Sequence, residues 1–183
     1  MKSLDKYNNV VSNEPISIEK VEKAERIISG LQEDIRKFVK NGAGPFAAAI
    51  FDANGNELVK TCNSVVSENC SHNHAEVNAI KEVEKYLGTY DLSEYNLSLY
   101  VTAEPCIMCI GAIMWSGIKN VYYGVPSETV EKITGFDEGF KENWQEEFKK
   151  RGITVYGNIA TELGERVLQE YLDTGCKVYM PNR

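Results

Sequence analysis

Leu97-Ser98-Leu99-Tyr100-Val101-Thr102-Ala103-Glu104-Pro105-Cys106-Ile107-Met108-Cys109-Ile110-Gly111-Ala112-Ile113-Met114-Trp115-Ser116-Gly117 reads as a strand feeding directly into a helix. Leu97 to Thr102 is short, apolar and β-prone, as a buried strand requires. Pro105 suits the opening of a helix, where its missing N–H costs little. The helix then runs through Trp115 to Gly117. Cys106 and Cys109 stand three residues apart and so share a helix face. Thiols at a helix N-terminus are biased toward thiolate, the form that binds metal. Upstream, His74-Ala75-Glu76 opens a second helix through Val77, Ile80, Val83 and Leu87 to Gly88.

One imidazole, two thiols and a nearby carboxylate are the parts of a catalytic zinc site. Zinc takes nitrogen and sulfur readily, usually with tetrahedral geometry. His74, Cys106 and Cys109 supply three ligands. A structural site would add a fourth protein ligand, whereas a catalytic site leaves that corner to water. Glu76 lies two residues from His74, off its helix face, so it is placed beside the metal rather than on it. A carboxylate there can take a proton from the water and pass it to a ring nitrogen, then to a departing amine. His-x-Glu with a later Pro-Cys-x-x-Cys is the pattern of zinc-dependent nucleobase deamination. A redox Cys-x-x-Cys explains neither His74 nor Glu76 nor Pro105, and no second Cys-x-x-Cys is present to complete a structural zinc site. His72 is not needed as a ligand, since three groups already serve.

The whole chain sets the frame. It has 183 residues, 43% of them hydrophobic, enough for one domain with a substantial core. No stretch is long and apolar enough to span a membrane, and Met1 to Lys6 lacks a signal-peptide core, so the expected compartment is the cytoplasm. The other cysteines, Cys62, Cys70 and Cys176, are scattered and suggest no disulfide framework. Acidic residues outnumber basic ones 27 to 20, for a net charge of −7. That balance argues against nucleic acid as partner and for a small, weakly charged substrate.

Residues 1–16 read as a flexible polar lead-in, and 17–183 as a single domain. Ser17 is an N-cap for a helix of about six turns, with Ile18, Val21, Ile27, Ile28, Leu31, Ile35 and Phe38 at helical spacing. Phe46 to Phe51 reads as a buried strand, Asn54-Gly55 as a hairpin turn, and Glu57 to Asn63 as the returning strand. Asn120 to Gly124 and Ile153 to Tyr156 complete five strands, with Pro126 to Lys150 helical in pieces and Glu162 to Leu172 a last helix. The order gives an α/β fold, a three-layer α/β/α sandwich around a mixed five-stranded sheet. Ligands in such folds gather at the carboxyl ends of strands.

These residues resemble the cytidine deaminase superfamily from about residue 18 onward, within it the guanine deaminase and tRNA adenosine deaminase branch. The resemblance is carried by Gly44-Pro45-Phe46-Ala47-Ala48, Asn63, His74-Ala75-Glu76-Val77, Leu99 to Cys109, and Gly111-Ala112-Ile113. Trp115 and Gly135-Phe136-Asp137-Glu138 look more like guanine deaminase. The resemblance implies one zinc per chain, catalytic roles for Glu76 and Glu138, and base contacts from Phe46, Asn63, Ala75, Trp115, Phe136 and Asp137. It also implies a homodimer whose C-terminal segment reaches over an active site, with Tyr179 the tail residue to close it. Phe46 and Trp115 sit among apolar residues, so a core role competes with base stacking. Asn63 could equally cap a loop, and Asp137 and Glu138 could belong to a solvated face. The chain departs from the family at Ala47, at Cys70-Ser71-His72-Asn73, at Glu138 and over 141–152, all of which bear on the substrate rather than the chemistry.

The expected function is therefore hydrolytic deamination of a purine base or nucleoside, guanine or guanosine first. Deamination of tRNA adenosine is the alternative, and a non-catalytic zinc-binding interaction protein the third reading.

Overall fold

The structure, a computed structural model, describes residues 7–179. Its elements are β1 (Val11–Ser12), α1 (Ile18–Lys40), β2 (Ala47–Phe51), β3 (Glu57–Cys62), α2 (Val65–Glu68) and α3 (Ala75–Leu87). They continue as β4 (Ser98–Ala103), α4 (Ile107–Ser116), β5 (Asn120–Val125), α5 (Ser127–Thr134), α6 (Trp144–Lys150), β6 (Thr154–Gly157) and α7 (Thr161–Asp173). The strands form one mixed sheet in the order β1-β6-β5-β4-β2-β3. β4, β5 and β6 run parallel, as expected where helices make the crossovers. The β2–β3 hairpin and β1 run antiparallel to their neighbours.

Strand alternation divides the core into two layers. Ala47, Ala49, Tyr100, Tyr122 and Tyr156 face α1, where Val21, Ala24, Ile28, Leu31 and Ile35 repeat at helical spacing and are buried. Tyr100, Tyr122 and Tyr156 are cross-strand partners in register. Their rings stack at centroid distances of 4.7 and 5.5 Å, tying the three parallel strands on that face. On the other face Ala48, Ile50, Leu99, Val101 and Val121 meet α3, α4 and the aromatic pair Trp144 and Phe148 of α6. The result is the expected three-layer sandwich.

The sheet has six strands rather than five. The added strand is β1, within the stretch read as a lead-in over 1–16, of which residues 1–6 lie outside the described residues. Its partner is the edge of β6, Val11 opposite Gly157 and Ser12 opposite Tyr156. Asn13 locks the pairing: its amide N–H groups donate to the carbonyls of Ile153 (2.9 Å) and Gln145 (3.1 Å), and its oxygen accepts from Val155 N–H (2.9 Å). Composition could not reveal this, because a two-residue edge strand held by backbone bonds, one buried amide and the packing of Val10 and Val11 has no run of apolar residues to mark it. The Asn54-Gly55 hairpin forms with a longer loop than a two-residue turn: the N–H of Asp52 donates to Asn56 and the N–H of Gly55 to Asp52, with Gly55 at φ +88°.

Gly157 is where the β6 backbone meets an aromatic side chain. A Cβ there would fall 1.9 Å from Cζ of the Tyr123 ring. Overfilling a packed core costs about 1–3 kcal/mol, so Gly157→Ala should lower the melting temperature by about 2–10 °C in a calorimetric scan. An unchanged melting temperature would contradict the packing described for this edge.

Candidate zinc site

The ligand-bearing residues begin helices but do not cap them. His74 is the N-cap of α3 (φ −70°, ψ 155°) and Cys106 the N-cap of α4 (φ −69°, ψ 169°). An N-cap side chain commonly accepts from the first turn's N–H groups, yet neither side chain makes such a bond. Both turn toward each other instead. Pro105 stands just before the Cys106 cap rather than inside the first turn. Cys109 follows one turn into α4 and is fully buried.

The three ligand atoms lie within 4.8 Å of one another, a cluster of His74, Cys106 and Cys109. His74 Nδ1 stands 3.5 Å from Cys106 Sγ and 3.7 Å from Cys109 Sγ. A tetrahedron with Zn–S near 2.3 Å and Zn–N near 2.05 Å has N···S edges of about 3.6 Å. The residues present therefore fit zinc, in distance and in donor chemistry. Glu76, on the first turn of α3 and buried, lines the same cavity as His74 and Cys106 without joining the cluster. His72 stays outside it, its ring against the Cys70 sulfur at 3.4 Å.

Burial and proximity set the protonation of these groups. Burial opposes charge on His74, but the Cys106 sulfur and the Glu76 and Glu138 carboxylates outweigh it and raise its pKa. Cys106 falls to about 4, because the Cys109 thiol donates to its sulfur and because His74 lies alongside, against the cost of burial. Cys109 moves the other way, raised by that shared proton and by burial. Burial also raises Glu76, with the Cys106 charge adding to it. Glu138 rises to about 8 through burial, although the Lys141 ammonium pulls it down.

The cluster opens into a cavity of about 390 Å³. Phe46, Asn63, Phe136, Asp137, Glu138 and Tyr179 line it together with His74, Glu76 and Cys106. Phe46 and Phe136 meet edge to face at 5.4 Å, one wall of the cavity. The Asn63 side-chain oxygen accepts from Val65 N–H at 3.2 Å, which leaves its NH2 to meet a ligand. Gly44 permits this placement: a Cβ there would lie 2.9 Å from that same oxygen. The Gly135–Gly139 segment is held by its backbone, Glu138 N–H donating to the Glu131 carboxylate (3.1 Å) and Ile107 N–H to the Glu138 carbonyl (3.0 Å).

Two of the expected contacts fall elsewhere. Trp115, at the far end of α4, is 84% exposed and borders a separate hollow with Met114, Ile118, Lys119, Arg151 and Ile153. The helix carries it about two and a half turns from Cys106 at its metal-bearing end, so spacing from Cys109 alone could not aim it at the cavity. Ala75 is buried beneath the site and its carbonyl accepts from the Thr61 hydroxyl at 2.7 Å. Ser71, from the Cys70-Ser71-His72-Asn73 stretch, lines the cavity, and so do Tyr171 and Lys177, which were not singled out. Tyr171 and Lys177 come to it only through the packing of α7 and the tail, the Tyr171 hydroxyl donating to the Lys177 carbonyl at 2.6 Å.

Residues 21–125 match the cytidine and deoxycytidylate deaminase zinc-binding region. The chain belongs to this family. A guanine deaminase of Bacillus subtilis (strain 168) is 40% identical over 97 residues, covering 53% of this chain and 60% of that protein. A tRNA-specific adenosine deaminase of Buchnera aphidicola is 43% identical over 70 residues, 38% of this chain and 45% of its own length. The chain thus spans about half the length of these curated relatives. The solved structure of a guanine deaminase from Nitrosomonas europaea aligns across 92% of this chain and 91% of its own, at 34% identity and a TM-score of 0.77.

Metal binding needs neutral imidazole and thiolate sulfur. Cys106 is already a thiolate near neutral pH, while His74 and Cys109 hold their protons more tightly than usual. Zinc uptake by the apoprotein at pH 7 should therefore release protons, and affinity should rise with pH. Titration calorimetry in buffers of differing ionisation enthalpy measures this, and a proton count of zero would contradict it.

Proposed function

We propose that this chain catalyses hydrolytic deamination of a purine base or nucleoside, guanine or guanosine first, releasing ammonia. The observation that carries the reading is a three-ligand His74, Cys106, Cys109 cluster with a buried carboxylate, Glu76, beside it and a cavity in front. We assign one zinc per chain, since the described residues contain one such cluster. Zinc held by His74, Cys106 and Cys109 would act as a Lewis acid and would lower the pKa of water to about 7.

The chain's own residues do the rest. Glu76 takes a proton from the attacking water and delivers it to the ring nitrogen. Its burial favours the protonated form it must pass through. Glu138, with a carboxyl at about 8, holds or moves a proton at the departing amine. Phe46 and Phe136 enclose the base plane, and the Asn63 NH2 donates to an acceptor on its edge. A carboxylate facing the exocyclic amine and N1–H of guanine accepts both hydrogens, which separates guanine from adenine because a buried polar group left unpaired is costly. Asp137 lies on the exposed side of this segment and lines the outer cavity. Tyr179 and Lys177, from the C-terminal segment, line the same cavity.

Residues 17–183 form one deaminase domain in this reading. A homodimer is supported by the apolar face of α4, where Trp115 is 84% and Met114 36% exposed. The cytoplasm is the compartment assigned, because Cys106 and Cys109 must stay reduced to hold a metal. No helix among the described residues is long and apolar enough to cross a membrane.

Ammonia release across guanine, guanosine, adenosine, cytidine and tRNA tests the proposal. Turnover of guanine or guanosine supports it. Inosine formation in tRNA, weakened by salt, would replace it with the nucleic-acid reading, and silence on every substrate would remove the catalytic assignment. Glu76→Gln should retain its zinc and lose about 10²–10⁴ in kcat. Phe46→Ala should cost about 1–3 kcal/mol of base stacking, read as a rise in KM with the metal content unchanged.

A further inference from the structure

We infer that Lys141 is a positioning residue that clamps the segment bearing Glu138 onto the turn that carries the metal ligand Cys106. Its ammonium lies in a largely buried polar knot, the side chain only 11% exposed. It donates to the Pro105 carbonyl at 2.9 Å and to the Ser127 hydroxyl, and stands 3.6 Å from the Glu104 carboxylate. An ammonium has three N–H donors, and three acceptors surround this one.

Glu104 is held in turn. Its oxygens accept from the Trp144 indole N–H and from the Ser127 backbone N–H, both at 2.9 Å. Its own N–H donates to the Val125 carbonyl at 2.8 Å, so the residue is fixed to β5. Pro105 directly precedes Cys106, and Lys141 lies three residues past Glu138. The bond from Lys141 to Pro105 therefore ties the exit of the Gly135–Gly139 segment to the entrance of α4. The Ile107 N–H to Glu138 carbonyl bond is a second tie between the same two pieces. Together they make metal ligand and acid one rigid unit.

Stability alone does not account for the arrangement. Burying an ion pair costs desolvation that apolar residues of similar size would avoid. Lys141 does not line the cavity, although Glu104, Cys106 and Glu138 do, so it acts through them and not on a substrate. Displacements of about 1 Å at such a site can cost roughly a hundredfold in rate.

The kinetic arm of the test rests on the deaminase reading, and the spectroscopic arm does not. Lys141→Met keeps the length and removes the charge. In the zinc-loaded enzyme kcat for guanine should fall roughly tenfold or more, with KM moving less than about threefold and zinc content unchanged. In the cobalt-substituted protein the thiolate-to-cobalt charge-transfer band should shift. A folded Lys141→Met protein with wild-type kcat and an unaltered cobalt spectrum would overturn the assignment. Should that variant not fold, Ser127→Ala removes one partner and keeps the ammonium. It should lower kcat and move the band in the same direction, and wild-type values for both would overturn the inference. If the wild type turns over no purine, the deaminase reading fails and the cobalt band alone decides the role of Lys141.

Discussion

Two helix N-termini converge on one point, and the arrangement of the rest follows from that convergence. His74 and Cys106 occupy N-cap positions of α3 and α4, yet neither side chain caps its own helix. The positive ends of both helices face the same small volume, where they stabilise thiolate sulfur. The imidazole and sulfurs meet at distances close to the edges of a zinc tetrahedron. Helix capping has thus been exchanged for metal chemistry, and the sheet holds both helix starts in place through the strand and loop that precede them.

Around that point, burial decides what each carboxyl can do. Glu76 and Glu138 are both enclosed and both raised, while Asp137, their neighbour in space, lies on the exposed side. Burial thereby disfavours the charged form of both acids of this cavity. The knot of Glu104, Lys141, Ser127 and Trp144 lies behind them and joins the acid segment to the ligand turn. A site whose groups must be held in register needs such rigid backing.

Much of this was legible along the chain. Hydrophobic periodicity placed α1 and α3 within a residue or two, Pro105 and the cysteine spacing placed α4, and the strands followed from short apolar runs and the Asn54-Gly55 turn. The ligands and Glu76 were legible because metal chemistry accepts few residue types at few spacings. Trp115 was misplaced because six residues of helix past Cys109 set a direction only the packed helix reveals, and that direction leads away from the cavity. β1 was missed because its hold on the sheet is backbone pairing and the buried Asn13 amide. Lys141 sits in a charged stretch that carries no periodicity, so nothing distinguished a buried lysine from a solvated one.

Sequence by itself determined the chemistry of the site: which atoms can hold a metal, which carboxyl stands next to it, and which layered fold can bring them together. Those features depend on residue type and local spacing, which a linear chain displays. Tertiary structure decided the rest: which aromatic faces the cavity, which acid is buried enough to keep its proton, and which distant side chain braces the ligand turn. Burial and long-range contact arise only when remote segments pack, so the enclosure of Glu138, the outward position of Trp115 and the partners of Lys141 are visible nowhere else.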